Sequence, residues 1–298
     1  MLRGFSVNLI PVLRGEIVTT GIRGRGKVVL ALSAMTCLLG SVAEAAPQSG
    51  SRNYRTPTSS RQSSSRNVTR QTQPQVAGFA LVELFTSEGC SSCPSADQNL
   101  MRLVDEASKK KLPVYALSFH VDYWNRLGWT DPYSSKAFTD RQRTYAQVMK
   151  SDRVYTPQMI VNGKAEFVGS NKNVSTKAIN SAMREQPQIR VIAKVRKVKG
   201  QDVTVAVQLT GRTTADIVNV ALVQKSGQQR ANAGENRNRT LKHVNIVRDF
   251  VQTKSGAGEV KLTIPKGMMA KDFRVIAYAQ NRKREVLGAT ATTLVASR

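Results

Sequence analysis

Acidic residues, histidine and cysteine are all scarce in this chain of 298 residues. Asp and Glu number 20 against 45 Lys and Arg, which leaves a formal charge of +25. The 3 cysteines are too few for a disulfide-rich scaffold or a four-cysteine structural zinc site, so any thiol chemistry must come from one pair. No uninterrupted apolar stretch approaches the ~20 residues of a spanning helix, which excludes a polytopic membrane protein. Apolar residues at 40% and aromatics at 6% are enough for ordinary cores, so the chain is not disordered throughout. At ~150 residues per domain, the length allows about two domains.

What is present begins with an export signal over residues 1–46. Arg14, Arg23, Arg25 and Lys27 precede an apolar run from Val28 to Val42, and Ala43-Glu44-Ala45-Ala46 follows. That is the basic, apolar and small-residue order of a secretory signal, and it predicts a secreted or periplasmic protein. Ser33, Thr36, Gly40 and Ser41 interrupt the run and weaken the competing reading as a retained anchor. Cleavage would remove Cys37 and any transmembrane segment. The remaining Cys90 and Cys93 would then meet an oxidising compartment, where such a pair persists as a disulfide.

Residues 47–76 are rich in Ser, Thr, Gln and Asn, with Arg52, Arg55, Arg61, Arg66 and Arg70 and no acidic residue. Such a segment reads as a disordered linker, either a solvated spacer or a basic tether to an anionic envelope surface. Export argues against nucleic acid as a partner, and no aromatics alternate with the basic residues to form a stacking platform.

Two folded segments follow, 77–187 and 188–298. The first opens on a buried strand, Phe79 to Thr86, then a helix from Pro94 to Lys110 with Ala96, Leu100, Leu103, Val104 and Ala107 on one face. A second strand spans Val114 to Phe119, a helix Ser134 to Lys150, a hairpin turns at Asn162-Gly163, and a helix from Val174 to Arg184 closes the unit. The expected order is β-α-β-α-β-β-α. The second segment alternates in seven short runs between Arg190 and Leu294, the pattern of an all-β, antiparallel sandwich-like domain.

Glu88-Gly89-Cys90-Ser91-Ser92-Cys93-Pro94 sits between the first strand and the first helix. The free N–H groups and dipole of a helix start favour an anion, so Cys90 is the expected nucleophilic thiolate. Cys93, one turn on, is placed to resolve a mixed disulfide. A structural disulfide is the competing reading, but so short a loop constrains the unfolded chain weakly. His120-Val121-Asp122-Tyr123-Trp124 follows the second strand, and its side chains should rim the same cleft, outside the carboxyl ends of parallel strands. His120 reads either as a proton acceptor or third metal ligand, or as a structural histidine. Glu83, a carboxylate in an apolar strand, is a candidate proton acceptor for Cys93, unless period two puts it on the other face. The polar basic loop Gly234 to His243 reads either as an anion-binding loop or as a solvated hairpin.

Strand, Cys-x-x-Cys, helix, strand and helix, followed by Thr156-Pro157, resemble the thioredoxin superfold over about Gly78 to Gln186; Val82 to Cys90 is nearest to glutaredoxins. More closely, the chain is similar to an uncharacterised exported thioredoxin-like family, domain of unknown function 1223. Glu83 to Pro94, Phe119 to Trp124, Gly128-Trp129, Arg141-Gln142-Arg143 and Gly234-Glu235-Asn236-Arg237 carry that resemblance, and Asn238 departs from an expected glycine. The resemblance implies an α/β thioredoxin-like domain with an appended β-domain, a cis Pro157 facing the disulfide, and backbone groups of Thr156 offered to a substrate.

Together these readings predict an exported thiol-disulfide oxidoreductase that exchanges with protein thiols or disulfides of the cell envelope and needs no cofactor. Cys90, Cys93, Pro157, Glu83 and His120 are the catalytic candidates, and Thr156, Asp122, Tyr123 and Trp124 the substrate-binding ones. The alternatives are a Cu(I)-handling protein using Cys90, Cys93 and His120, and a non-catalytic envelope-binding module.

Overall fold

The structure is a computed structural model that describes residues 78–211, 215–254 and 258–294. The expected signal (1–46) and linker (47–76) lie outside the described residues. Strand β1 (Ala80–Thr86) leads to helix α1 (Cys93–Lys109), β2 (Val114–His120) and α2 (Lys136–Val148). Then come β3 (Gln158–Val161), β4 (Ala165–Val168) and α3 (Lys172–Ala182). The remainder is β5 (Ile189–Lys199), β6 (Asp202–Gly211), β7 (Ile217–Arg230), β8 (Thr240–Lys254), β9 (Glu259–Thr263), β10 (Phe273–Gln280) and β11 (Val286–Thr293).

These elements correct the expected fold class. The chain is mostly β and does not build a thioredoxin-like α/β domain followed by a separate all-β sandwich. One mixed sheet of 8 strands, in the order β11-β10-β7-β8-β2-β1-β3-β4, runs across the boundary expected at residues 187 and 188. The junction is the parallel pairing of β2 with β8, where Ser118 meets Ile246. β5, β6 and β9 form a second, 3-stranded sheet. A hydrogen-bonded ladder between strands so distant in sequence leaves no local periodicity signal, which is why the alternation alone suggested an independent sandwich. A usable hint was the near-continuous apolar run Val218 to Val223, since a strand buried on both faces belongs inside a covered sheet. Among the described residues, no helix is long and apolar enough to cross a membrane.

Three cores result. On one face of β1, Ala80, Val82 and Leu84 pack with Ala96, Leu100 and Leu103 of α1 and with Ile179 of α3. On the other face, Leu81, Phe85, Leu117 and Phe119 pack with Phe138 and Tyr145 of α2 and with Tyr278 of β10. The small sheet contributes Val191, Val205 and Leu262 to a third core against Val220, Leu222 and Val275. Each Val, Leu, Ile or Phe side chain among them contributes about 1.5–3 kcal/mol when fully buried.

Local signals place the first half. Pro94 sits in the first turn of α1, where its missing N–H costs nothing. Ser135 caps α2 by accepting from the Ala137 N–H. Asn162 (φ 49°) and Gly163 (φ 67°) make the tight β3–β4 turn. A side chain at Gly163 would collide with the Arg284 carbonyl, so this turn also packs against the β10–β11 connection.

Candidate functional site

At the carboxyl end of β1, the chain turns through Ser87, Glu88 and Gly89 and enters Cys90. A disulfide joins Cys90 to Cys93, the first residue of α1. The turn is tight: the Cys90 N–H donates to the Ser87 carbonyl and the Cys93 N–H to the Cys90 carbonyl. Gly89 sits in close approach to the Trp124 segment: a Cβ there would lie 3.0 Å from Cβ of Trp124. Ser91 and Ser92 are exposed between the cysteines, yet Cys90 is only 1% exposed and Cys93 0%.

Two neighbours flank the Cys90 sulfur. Ser92 Oγ lies 3.3 Å away and the Thr156 carbonyl oxygen 3.9 Å away. The Thr156–Pro157 peptide is cis. Trp124 Nε1 donates to Thr156 Oγ1 at 2.7 Å, which fixes the indole beside this segment. Cys90, Cys93, Thr156, Pro157 and Trp124 are therefore brought together. Tyr123 donates to Gln142 Oε1, whose own Nε2 donates to the Tyr155 carbonyl. Asp122 is turned to α2, where its carboxylate accepts from the Thr139 hydroxyl at 2.6 Å.

Glu83 is not at the disulfide. Alternation along β1 puts it on the face of Leu81 and Phe85, toward α2, whereas α1 covers the face of Val82 and Leu84. Its carboxylate accepts from Arg141 Nε at 2.6 Å and Nη2 at 2.9 Å and from the Tyr145 hydroxyl at 2.6 Å. The expected service to Cys93 is thus corrected to a buried ion pair across the sheet from it. Burial works against the charge on Arg141, but Glu83 outweighs it and holds the guanidinium protonated.

His120 is fully buried at the end of β2, in register with Thr86. Its Nδ1 is 2.7 Å from Asp131 Oδ2, and its Nε2 has no hydrogen-bond partner. Among the described residues, no group of three or more His, Cys, Asp or Glu side chains is arranged to hold a metal ion. The copper set of Cys90, Cys93 and His120 is therefore not assembled in the disulfide form.

Sequence reasoning missed the charged cluster beneath the disulfide. His243 of β8 places Nε2 3.1 Å from Glu88 Oε1 and Nδ1 3.5 Å from Asp97 Oδ2. Its ring stands edge-on to His120 at 4.7 Å, so the only two histidines of the chain share one buried cluster. Asp97 also accepts from the Thr86 hydroxyl, and Glu88 Oε2 accepts from Trp129 Nε1. Burial pulls the His243 pKa down, but the nearby carboxylates of Asp97 and Glu88 prevail and raise it to about 10. Burial likewise pushes Asp131 up, while the His120 ring and the N–H groups of Glu88 and Tyr133 hold it below its usual 3.8. Two signals were available. Asp97 lies four residues after Cys93 on the buried side of α1, and His243 alternates inward with Leu241.

The β7–β8 loop completes the site and is not simply solvated. Asn236, fully buried, donates through Nδ2 to the Glu88 carbonyl at 2.8 Å and to the Cys90 carbonyl at 2.9 Å. Glu235 accepts from the Ser91 N–H at 2.9 Å. Gly234 (φ 72°) lets the loop pass against Trp129, and Asn238 (φ 66°) adopts the left-handed conformation expected of a glycine there. Asn236→Ala strands the buried Glu88 carbonyl, leaves the Cys90 carbonyl with the Cys93 N–H alone, and should lower stability by about 2 kcal/mol. Asn236→Asp, which has no donor, should cost at least as much in urea unfolding, and a loss below ~0.5 kcal/mol for both would contradict this role.

The cysteine turn and the loop that clamps it fall within residues 81–280, the region matched by the family described as "Protein of unknown function (DUF1223)". The chain belongs to the DUF1223 family. A crystal structure of a protein from Agrobacterium tumefaciens is 29% identical, with a TM-score of 0.57 over 75% of this chain and 98% of that one. A domain of the outer membrane lipoprotein Omp28 from Porphyromonas gingivalis is 16% identical over 38% of this chain and 92% of that chain. Its TM-score of 0.23 is too low to bear on the fold. No curated protein matches the chain. The β-rich segment after residue 188 thus belongs with the cysteine segment in a single family unit, as the shared sheet and the Asn236 clamp require.

Proposed function

We propose that this DUF1223 protein is an exported thiol-disulfide oxidoreductase acting through Cys90 and Cys93. The observation that carries the reading is a disulfide at the start of α1, where free amides and the helix dipole favour the thiolate that exchange requires. The export half of the reading rests on the signal-like order of residues 1–46.

In the oxidising direction, a substrate thiolate attacks Cys90 Sγ, the Cys90–Cys93 bond breaks, and Cys93 leaves as a thiolate that takes up a proton. A second substrate thiolate then attacks the substrate sulfur of the mixed disulfide and releases Cys90. Two electrons and two protons pass to the protein. Reduction of a substrate disulfide is the same sequence reversed, with Cys90 attacking and Cys93 resolving. Cys90 is nearly sealed, so exchange requires the Ser91–Ser92 turn or the β7–β8 loop to yield. Trp124 and Thr156 would then line the opening toward a substrate chain.

Equilibration of the full-length protein in glutathione buffers, with peptide-resolved counting of alkylated Cys90 and Cys93, tests the proposal. A potential between about −120 and −270 mV supports an exchanging pair. A pair that stays oxidised below about −300 mV is structural, and the reading then fails.

A further inference from the structure

Resting on that reading, we propose that Glu235 is a positioning residue that tunes the redox pair: its carboxylate, seated on the Ser91 N–H, disfavours the Cys90 thiolate and stabilises the disulfide. The Ser91 amide is the first backbone donor after Cys90, one residue before the N-cap Ser92 of α1, in the turn that leads into the helix end whose dipole favours an anion. In this protein that donor is already taken, by a carboxylate brought from 144 residues away. The placement is held: Asn236, the next residue, is locked to the carbonyls of Glu88 and Cys90, and Arg239 donates to Asn236 Oδ1 at 2.7 Å. Hydrogen bonds from Ser91 keep Glu235 below its ordinary 4.5, so it carries a full charge across the neutral range.

The remaining neighbours of the Cys90 sulfur do not offset this charge. Ser92 Oγ offers one hydroxyl, and the Thr156 carbonyl is a second acceptor facing the sulfur. Of the loop's own cations, Arg239 is engaged on Asn236 and Arg237 is exposed to solvent. Among the described residues, no cation is salt-bridged to Glu235. A negative charge beside the nascent thiolate raises the free energy of the reduced form and leaves the disulfide untouched, which lowers the reduction potential. The β7–β8 loop thereby joins the second half of the sheet to the redox poise of the first.

The test compares wild type with Glu235→Gln, which keeps the hydrogen-bond acceptor and removes the charge, and Glu235→Asp, which keeps the charge. All three full-length proteins are equilibrated in dithiothreitol buffers from pH 6 to pH 9. Each reduced dithiothreitol gives two electrons and two protons to the protein disulfide and leaves as its cyclic disulfide. Glu235→Gln should raise the ratio of dithiol to disulfide by about threefold to tenfold at pH 9 and low salt. That corresponds to roughly 15–30 mV by the two-electron constant. The difference should shrink in ~1 M salt, and Glu235→Asp should stay near wild type. A ratio that Glu235→Gln leaves unchanged, or changes as much in ~1 M salt as at low salt, overturns the inference. A wild-type pair that resists glutathione but opens in dithiothreitol defeats the oxidoreductase reading and leaves the Glu235 comparison readable.

Discussion

Arg141→Ala should cost about 3–5 kcal/mol of stability, read as a lower urea midpoint. Arg141 is almost wholly buried and donates two hydrogen bonds to Glu83, one to the Tyr145 hydroxyl and one to the Tyr278 hydroxyl. Its guanidinium carbon also lies 4.9 Å from the Phe250 ring centre and 5.4 Å from that of Phe119. Truncation leaves the Glu83 carboxylate in a core with only the Tyr145 hydroxyl as a strong partner, and an unpaired buried charge is the costly part. Arg141→Lys should lose a large share as well, because an ammonium cannot reproduce the planar fork. The double change Glu83→Leu, Arg141→Met removes both charges and should recover most of the loss. A loss below ~1 kcal/mol for Arg141→Ala would show that the pair does not hold α2 and β10 to β1. Glu83→Gln separates this role from the redox role, because it should weaken the fold while leaving the potential of Cys90–Cys93 at the wild-type value. A shifted potential would return Glu83 to the site.

That pair also shows where sequence reasoning runs out. The apolar run of β1 reads as a buried strand because both of its faces are covered, and the same fact conceals which face Glu83 takes. Register decides it: Glu83 sits opposite Leu117 and Ile160, and a slip of one residue would carry it to α1. Short-range features were legible. The Asn162-Gly163 turn, the apolar face of α1 and the cysteine turn each depend on residues within a few positions of one another. The seven C-terminal strands also fall where the alternation places them. What they join does not follow from alternation, because the β2–β8 contact is a single parallel register pair across 128 residues of chain. The same gap hid half of the site. Asp97 and Glu88 stand near the cysteines in sequence, but His243, Glu235 and Asn236 reach them only because β8 lies beside β2. A polar loop in sequence becomes a clamp once the strands that carry it are paired.

His243 should make the fold less stable in alkali by on the order of 3–5 kcal/mol, the second large effect expected. Its pKa stands at about 10 in the folded protein against an ordinary 6.5, and one pKa unit corresponds to about 1.4 kcal/mol. The folded state binds the proton more tightly than the unfolded state, so the contribution is complete below pH 6.5 and is lost as pH rises through about 10. The groups that set this balance are Glu88 and Asp97 on the ring nitrogens, the His120 and Tyr133 rings edge-on to it, and Asp131 behind His120. Arg248, stacked over Tyr133, adds a further positive charge nearby. His243→Asn keeps a polar side chain but leaves Glu88 and Asp97 without their cation, so it should be destabilising at pH 6 and much less so at pH 10. Urea midpoints of wild type and variant at half-unit steps between pH 6 and pH 10 give the difference directly, and tyrosine and lysine titrations common to both largely cancel. A difference that stays constant across that range would mean that His243 is neutral in the fold. The side-chain donors on the Glu88 carboxylate at the base of the cysteine turn would then be Trp129 Nε1 and one neutral ring N–H of His243.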